Sequence, residues 1–489
     1  MEDNLNKNEK LIDNIEINKG NVEHQNELNT DKTSHSSHSH SHSNSHRSHH
    51  HGKHSSHHKK KNNSSKKNSL FDKIEKKVGQ KRLKIISYSA VLCSFVIICS
   101  LYFFEKFSTP DISDIKGSYE ENKSGYSEQL DNESSLSVSI PSYWKDMINE
   151  KTEVVKTLQT ADGKNCVSFV WASDTHIPDN GSARTNNIGI LMAAMMNKCD
   201  IPFAVLTGDV GTRASYDTET ELLRTQESIP VHLAPLWGTD RLLLALGNHE
   251  GCYGDSSSYY AKQFSPERLW QLYFRNQALD SRRIFSEDGL YYYIDNVAQK
   301  TRFIVLNSNF AGKYSVDGNG NAINNRFATS CYGQEQLNWL ANVALDMPKG
   351  YGAIIAAHVP PNVTYTVDKS QLIGIINAYC NRTTYSGSYT KGINGWTNNS
   401  VNVDFTNAKG EIIAMFSGHV HQDTIDTTTL ACPLITIIAA GAEVNFGEAP
   451  ERTFGTDTET SFDVVTINKK TRTIYCTRVG AGKDRAIKY

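Results

Sequence analysis

The sequence predicts an α/β fold, because short apolar segments alternate with amphipathic ones beyond about residue 140. Six short segments have the length and apolar character of buried strands: 167–172, 203–206, 242–246, 302–306, 353–357 and 412–416. Apolar residues at helical spacing predict helices at 142–158, 187–197, 265–279 and 335–345. Two further strands, 461–467 and 471–479, are predicted to close the chain as a hairpin. Strands that alternate with helices are typical of layered α/β proteins.

The helix predicted at 187–197 carries a stripe of methionines. Ile188, Leu191, Met192, Met195 and Met196 recur at the spacing of one helix face. Methionine fills irregular gaps between core side chains, so we interpret the stripe as packing rather than as a cofactor site.

Ahead of this region, residues 84–104 are predicted to form a transmembrane anchor. The stretch 85–104 has no charged residue, and twenty residues of helix span about 30 Å, the thickness of a hydrocarbon core. A buried core helix would not have a basic cluster on one side and a Ser/Glu/Asp-rich stretch on the other. A cleaved signal peptide would need a short basic start and a small-residue cleavage site, whereas more than eighty residues come first here.

The distribution of basic residues predicts the orientation of this anchor. The formal net charge of −2 is an average, since Lys and Arg crowd between Lys53 and Lys84. The positive-inside rule then places the N-terminus in the cytoplasm and the following domain outside the cell membrane. We expect the basic run to contact anionic membrane lipid. We expect no nucleic-acid partner, because the run lies on the cytoplasmic side and serves the anchor.

These features divide the chain into four predicted parts. Residues 1–83 form a low-complexity tail, with a Ser/His tract at 34–58, that is too polar to bury a core and is expected to be disordered. Residues 84–104 form the anchor, 105–140 an extracellular stalk, and 141–489 the folded domain.

Cysteine usage leaves the disulfides undecided. Two of the nine cysteines, Cys93 and Cys99, lie in the predicted anchor, and seven remain in the exported part. Disulfides are permitted outside the cell. No CxxC spacing selects a pairing, and an odd number leaves at least one thiol over.

Metal-ligating residue types follow five of the six predicted strands. In α/β sheets, ligands bind outside the carboxyl ends of the strands. The motifs are Asp174-Thr175-His176, Gly208-Asp209, Gly247-Asn248-His249-Glu250, Ala357-His358 and Gly418-His419-Val420-His421. Of the six histidines that lie outside the N-terminal tail, only His232 is not in a motif, and we interpret it as structural.

The residue types and spacing suit a pair of metal ions. In extended chain, positions i and i+2 project to the same side, so Asp174 and His176 can bind one ion together. By contrast, His419 and His421 can each reach a different ion. Carboxylate, imidazole and carboxamide ligands suit Mn, Fe or Zn, and a carboxylate such as Asp209 can bridge two ions. The predicted cofactors are therefore two divalent or trivalent metal ions.

In order and in kind, the five motifs resemble the calcineurin-like metallophosphoesterase superfamily, from Asp174 to His421. The resemblance implies a double β-sandwich flanked by helices, in αββα layers. It also implies that one ion binds Asp174, His176, Asp209 and His421, and the other Asp209, Asn248, His358 and His419. By the same resemblance, His249 does not bind metal but stabilises charge or protonates the leaving oxygen. The implied reaction is in-line attack on phosphorus by a metal-bound hydroxide.

The chain lacks motif residues of two subfamilies, so the sequence does not identify its substrate. Purple acid phosphatases have a tyrosine where this chain has Thr212, and protein Ser/Thr phosphatases have a glycine where it has Ile177. The expected activity is hydrolysis of a phosphodiester or phosphomonoester, on a small molecule or a cell-surface polymer. The chain's ending, from Arg478 to Arg485, is similar to endings of bacterial members. The alternative is a catalytically silent surface binding module that retains the metal site.

Two segments are hypothesised to cap the site. The insertion 361–410 and the loop 310–331 both follow strands that lead to the motif edge. Loops at this edge shape substrate pockets in α/β proteins.

Overall fold

Two mixed β-sheets form the centre of the described part of the chain. The computed structural model describes residues 139–177, 187–211, 218–254, 261–310, 315–327, 329–364, 366–390, 399–441 and 450–489. The tail, the anchor and nearly all of the stalk lie outside these ranges, so their predicted boundaries stay predictions. Within these ranges, no helix combines the length and apolar character needed to cross a membrane.

The strands in these ranges are short, and most have fewer than seven residues. In chain order they are β1 (Cys166–Ala172), β2 (Ala204–Leu206), β3 (Leu242–Leu244), β4 (Cys252–Tyr253), β5 (Lys262–Gln263), β6 (Arg283–Phe285), β7 (Tyr292–Asn296), β8 (Thr301–Val305), β9 (Gly352–Ala356), β10 (Thr384–Tyr389), β11 (Asn399–Asp404), β12 (Glu411–Ser417), β13 (Thr424–Asp426), β14 (Leu434–Thr436), β15 (Ser461–Asn468), β16 (Thr473–Gly480) and β17 (Arg485–Lys488).

Seven α-helices accompany the strands. They are α1 (Lys145–Ala161), α2 (Ile188–Lys198), α3 (Glu219–Gln226), α4 (Ile229–His232), α5 (Pro266–Leu269), α6 (Gly333–Trp339) and α7 (Lys369–Asn381), all counted within the described ranges. Short π-helical turns extend α5 over Trp270–Phe274 and α6 over Leu340–Ala344. Shorter 3-10 turns cover Ser142–Trp144, Gly163–Asn165 and Gln277–Leu279.

The topology brings the ends of several parallel strands to the same edge. The first sheet has the order β17-β16-β15-β1-β2-β3, in which β1, β2 and β3 are parallel. The second has the order β13-β14-β12-β9-β8-β7-β6, in which β8, β9, β12 and β14 are parallel. The five motifs follow β1, β2, β3, β9 and β12. Each sheet therefore contributes ligand-bearing turns from its parallel strands.

The two sheets pack face to face through aromatic side chains. Phe169 on β1 lies 5.4 Å from Phe303 on β8 and 5.3 Å from Phe416 on β12, measured between ring centroids. Trp171 contacts Phe416 at 4.8 Å, also edge-to-face. Edge-to-face ring contacts stabilise a core by more than the burial of their apolar area alone. This packing agrees with the predicted double β-sandwich.

The second sheet is buried on both faces. Phe303 and Val305 of β8 belong to the cluster between the sheets, whereas Ile304 and Leu306 belong to a second cluster with helices α6 and α7. Alternate residues of a strand point to opposite faces, so one strand serves both clusters. Helices α1 and α2 pack on the first sheet. The predicted α/β class is confirmed.

Most predicted elements lie within a few residues of the observed ones, and the differences have clear causes. Helix α1 begins at Lys145 rather than 142, because the chain first makes a 3-10 turn there. Its buried residues Ile148, Thr152, Val155 and Leu158 lie on one face, as predicted. The methionine stripe of α2 is fully buried, which confirms its packing role. The described part of the insertion 361–410 contains α7 and the β10–β11 pair, which the sequence analysis did not predict.

Candidate metal centre

The predicted ligands converge at the edge where the parallel strands end. Three overlapping groups of side chains have ligand atoms within 4.8 Å of one another: Asp174, His176 and His421; His176, Asp209 and His249; and Asp209, His358 and His419. Asn248 joins the third group through its side-chain oxygen. In contrast, His232 lies in α4 and belongs to none of these groups.

The first group lies where the ends of β1 and β12 meet. His421 Nε2 is 3.1 Å from Asp174 Oδ1 and 3.2 Å from His176 Nε2. Asp174 and His176 are 0% and 1% exposed, and His421 is 9% exposed. One cation between these atoms would be held by one carboxylate and two imidazoles, a set that suits transition metals.

The third group is built around His358 at the end of β9. His358 Nε2 lies 3.0 Å from Asp209 Oδ2, 3.1 Å from Asn248 Oδ1 and 3.1 Å from His419 Nδ1. His419 Nδ1 is also 3.0 Å from Asn248 Oδ1. The two histidines of the last motif thus have different neighbours, as the spacing predicted.

The hydrogen bonds of His358 show that this third group fits a cation. The other ring nitrogen of His358, Nδ1, lies 2.8 Å from the carbonyl oxygen of Thr207 and can donate a proton to it. In the neutral ring with that tautomer, Nε2 is an acceptor, and it faces a carboxylate oxygen and an amide oxygen. Lone pairs that converge in this way repel unless a positive charge lies among them. A histidine bound to metal through one nitrogen and to a backbone carbonyl through the other is common in metalloproteins.

The buried carboxylates also require positive charge nearby. Burial alone would raise the pKa of Asp174, but the charges of His421 and His358 hold that pKa well below its usual value. Burial lowers the pKa of His358, yet Asp209 and Asp174 raise it to about 9. The two carboxylates thus make the site strongly favourable for cations, whether these are protons or metal ions.

Five of the predicted ligands have a left-handed backbone. The φ angles of Asp174, His176, Asp209, His419 and His421 are 54°, 45°, 48°, 69° and 53°. Such angles are uncommon for residues other than glycine and cost about 1–3 kcal/mol when strained. Among the described residues only four other non-glycine positions share this conformation. The fold therefore imposes an unfavourable backbone where the ligands must point inward.

Glu250 holds the loop that carries Asp209. This carboxylate is fully buried and accepts hydrogen bonds from the backbone N–H groups of Asp209, Val210 and Gly211, at 3.1, 2.7 and 3.2 Å. It also accepts one from Gly247 N–H. The sequence reasoning did not assign Glu250 a role. The feature of the sequence that could have indicated a role was the position of Glu250 directly after Asn248-His249.

Gly418 allows the turn before His419 to pass against the first motif. A Cβ atom at this position would overlap Ser173 Oγ and Asp174 Oδ2. The backbone N–H of His419 donates to Asp174 Oδ2 at 2.9 Å across this contact. Only glycine permits the close approach, which fixes the distance between Asp174 and the last motif.

We expect Gly418→Ala to remove most of the thermal stabilisation that Mn²⁺ gives the protein. The added methyl group must push Asp174 or the His419 turn away, and overpacking of this kind costs about 1–3 kcal/mol. The measurement is the shift in melting temperature on adding Mn²⁺, which should be much smaller in the variant. Gly318→Ala is the control, because a Cβ there meets open space. An unchanged Mn²⁺-dependent shift in Gly418→Ala would contradict this role.

His249, a member of the second group, lies between the other two and contacts one of the hypothesised capping segments. Its Nε2 is 3.7 Å from Asp209 Oδ2, and its backbone N–H donates to Asp209 Oδ1 at 2.9 Å. The ring of Phe327 lies 5.3 Å away, edge-to-face. The neighbouring Arg326 is buried and donates to the carbonyl oxygens of Glu250 and Asn309. The loop 310–331 therefore reaches the site, whereas its effect on specificity stays a hypothesis.

A buried ion network connects the C-terminal strands with the last motif. Arg478 donates from Nε to Asp463 Oδ1 at 2.6 Å and from Nη2 to Asp423 Oδ1 at 2.8 Å. Arg485 pairs with the same two aspartates. Because Asp423 follows His421 by two residues, the network joins β15–β17 to the turn that carries both histidines.

The comparison with protein families identifies the chain. The model of the calcineurin-like phosphoesterase family matches residues 167–423, more than half of the 489 residues. The chain belongs to this family. The predicted family is therefore confirmed, and all eight predicted site residues of this calcineurin-like phosphoesterase lie within the matched range.

Solved structures give distant similarities to this calcineurin-like phosphoesterase. A dimetal phosphatase from Danio rerio is 12% identical, with a TM-score of 0.42, over 66% of this chain and 99% of that one. PhoD is 10% identical, with a TM-score of 0.35, over 64% and 66%. GAP50, the anchor in the inner membrane complex of Plasmodium, is 12% identical, with a TM-score of 0.32, over 66% and 89%. No curated protein matches the phosphoesterase.

Proposed function

We propose that this calcineurin-like phosphoesterase hydrolyses phosphate esters with two metal ions. Asp174, His176 and His421 would hold one ion, and Asn248, His358 and His419 the other. Asp209 would be shared between them. The single observation that carries the proposal is the crowding of acceptor atoms around His358 Nε2, which lies within 3.1 Å of three other potential ligand atoms.

The residues of the chain provide binding, orientation and proton transfer. When bound, the ions would supply positive charge that activates water and offsets the charge developing on the phosphate. Thr207 orients His358 through its carbonyl oxygen, and Glu250 fixes the loop of Asp209. The side chain of His249 is 11% exposed, so it can reach a substrate from beside Asp209. There it can donate a proton to the leaving oxygen.

Replacing His249 with asparagine is expected to lower kcat by about 10²–10⁴-fold, the range of general acid–base catalysis. The backbone N–H bond to Asp209 remains, so the apparent affinity for Mn²⁺ should stay within about threefold, as expected for a side chain that is not a ligand. Steady-state kinetics at several Mn²⁺ concentrations measure both quantities. A variant that regains full kcat at high Mn²⁺ would instead make His249 a metal ligand.

A phosphoester panel tests the proposed function. The full-length protein is assayed with aryl phosphomonoesters and aryl phosphodiesters, with Mn²⁺ added and then removed by a chelator. We expect hydrolysis of at least one class, lost on chelation and restored by Mn²⁺. Because monoester and diester substrates are compared side by side, the same panel also assigns the preference that the sequence left open.

The alternative is a silent binding module on the cell surface. It is disfavoured by the position of His249, because a purely structural metal site needs no proton donor beside it and no open coordination position. A protein that gains thermal stability with Mn²⁺ but cleaves nothing in the panel would support the alternative and overturn the proposed function.

We also propose that a single-pass anchor at residues 84–104 holds the domain at the outer face of the cell membrane. Its support is the uncharged stretch 85–104, which has the dense cluster of Lys and Arg on its N-terminal side. Protease added to intact cells should then remove the folded domain while leaving the N-terminal tail protected. Release of the full-length chain from membranes by alkaline carbonate would contradict the anchor.

A further inference from the structure

Two cysteines outside the candidate metal centre pack against the same apolar cluster. Cys380 lies in the last turn of α7 and is partly exposed, whereas Cys432 is 6% exposed and lies between β13 and β14. Cys432 belongs to the apolar cluster behind the second sheet, and Cys380 packs against the same cluster. Each thiol is close enough to the other to shift its pKa. The pair is about 50 positions apart in sequence, so the fold alone brings it together.

The backbone around the pair is held by a second set of contacts. Asn377 lies one turn before Cys380 on α7. Its Oδ1 accepts a hydrogen bond from Ala431 N–H at 2.6 Å, and its Nδ2 donates to the Thr429 carbonyl at 3.5 Å. Ala431 immediately precedes Cys432. The helix and the segment before β14 are therefore fixed to each other next to both sulfur atoms.

Other described cysteines make different contacts. The thiols of Cys166, Cys199, Cys252 and Cys331 donate to backbone carbonyl oxygens. Those four are buried, and burial raises the pKa of each thiol. A buried thiol that stays protonated reacts slowly with disulfides, since the thiolate is the nucleophile.

Cys380 is partly exposed to solvent, and its surroundings favour the thiolate form. The Cys432 thiol lowers the pKa of Cys380, and the nearby Arg382 guanidinium adds to this effect. Cys432 has a raised pKa, because its thiol lies near Cys380 and is buried. The pair thus contains an accessible attacking thiol and a buried second thiol beside it.

We propose that Cys380 and Cys432 form an intramolecular disulfide by exchange with a disulfide of the glutathione class. The Cys380 thiolate attacks the external disulfide, and one thiolate leaves. The sulfur of Cys432 then attacks the mixed disulfide at Cys380 and displaces a second thiolate. Two protein thiols are oxidised, one external disulfide is reduced, and the two protons pass to the two released thiols.

This bond would fasten the insertion 361–410 to the sheet that carries the last metal motif. Helix α7 is the main helix of the insertion, and the segment of Cys432 leads directly into β14. β14 pairs with β12, which ends at the turn of His419. A cross-link that closes a loop of about 50 residues restricts the unfolded chain and stabilises the fold.

The test uses the full-length protein, reduced first and then equilibrated with oxidised glutathione. Free thiols are alkylated, the chain is digested under non-reducing conditions, and linked peptides are identified by mass spectrometry. We expect a Cys380–Cys432 cross-link and a rise in melting temperature of about 5 °C or more. Cys432→Ala should show neither, whereas Cys166→Ala, the control, should show both.

Three results would overturn the proposal. They are alkylation of both thiols in the folded, oxidised sample, a stable glutathione adduct on Cys380 without the cross-link, and a cross-link of either cysteine to a different one. None of these results bears on phosphate ester hydrolysis, because neither cysteine belongs to the metal groups.

Discussion

Replacing Asp209 with asparagine is expected to lower kcat by at least about 10³-fold, since the proposed pair of cations at this carboxylate would supply several kcal/mol of charge stabilisation. The carboxamide has nearly the same shape but no charge. Asp209 is 2% exposed and lies 3.0 Å from His358 Nε2, so water cannot readily replace the lost charge. Kinetics across a range of Mn²⁺ concentrations should show weaker apparent metal affinity together with the lower kcat.

The matched control for this variant is Asp346→Asn, an identical change at an exposed position. It should leave both quantities unchanged. If Asp209→Asn kept more than a tenth of the wild-type kcat at saturating Mn²⁺, a shared role for this carboxylate would be wrong.

The second large effect is expected on stability. Replacing Arg478 with methionine should reduce the free energy of unfolding by about 3–5 kcal/mol, because it leaves a buried charge without one of its partners. Arg478 is 1% exposed, and Asp463, which accepts from its Nε, is fully buried. Urea unfolding followed by circular dichroism measures the loss.

Arg282→Met is the control for this prediction. Arg282 is 51% exposed and pairs with Asp240, which is 59% exposed. Surface pairs contribute about 0–1 kcal/mol, so this variant should unfold near the wild-type midpoint. If both variants lost the same free energy of unfolding, burial would not determine how much the Arg478 network stabilises the fold.

The network should also make stability depend on pH. Although burial raises the pKa of Asp463, the Arg478 and Arg485 guanidinium groups hold it below its usual value. A lowered folded-state pKa gives stability that is complete above about pH 4, the unfolded value, and is lost as pH falls further. Arg478→Met should therefore lose less stability than the wild type between pH 4 and pH 2.

The candidate ligands were predictable because their residue types are unusual where they occur. An aspartate or histidine directly after an apolar strand has few structural explanations, and five such cases in one chain indicate a shared site. The strand-to-helix alternation was equally readable, since β1, β9 and β12 are continuous apolar segments.

Other features depend on contacts between distant residues and have no local signature. Nothing in the sequence near Arg478 indicates that its guanidinium bridges Asp463 and Asp423. The left-handed backbone at Asp174 and His419 is seen only in the folded turns, since most residues of these types adopt other backbone angles. Helix α7 was missed because its surroundings are rich in Thr, Ser, Asn and Tyr, although its own buried face includes Leu372, Ile375 and Ile376.

The most direct test of the account is the location of bound metal. Metal content alone does not decide it, because the Ser/His tract at 34–58 can also bind ions. Crystals of the full chain grown with Mn²⁺ should give two anomalous peaks about 3.5–4 Å apart, with the Asp209 carboxylate between them. A single peak, or no peak within reach of His358 and His421, would contradict a dinuclear centre.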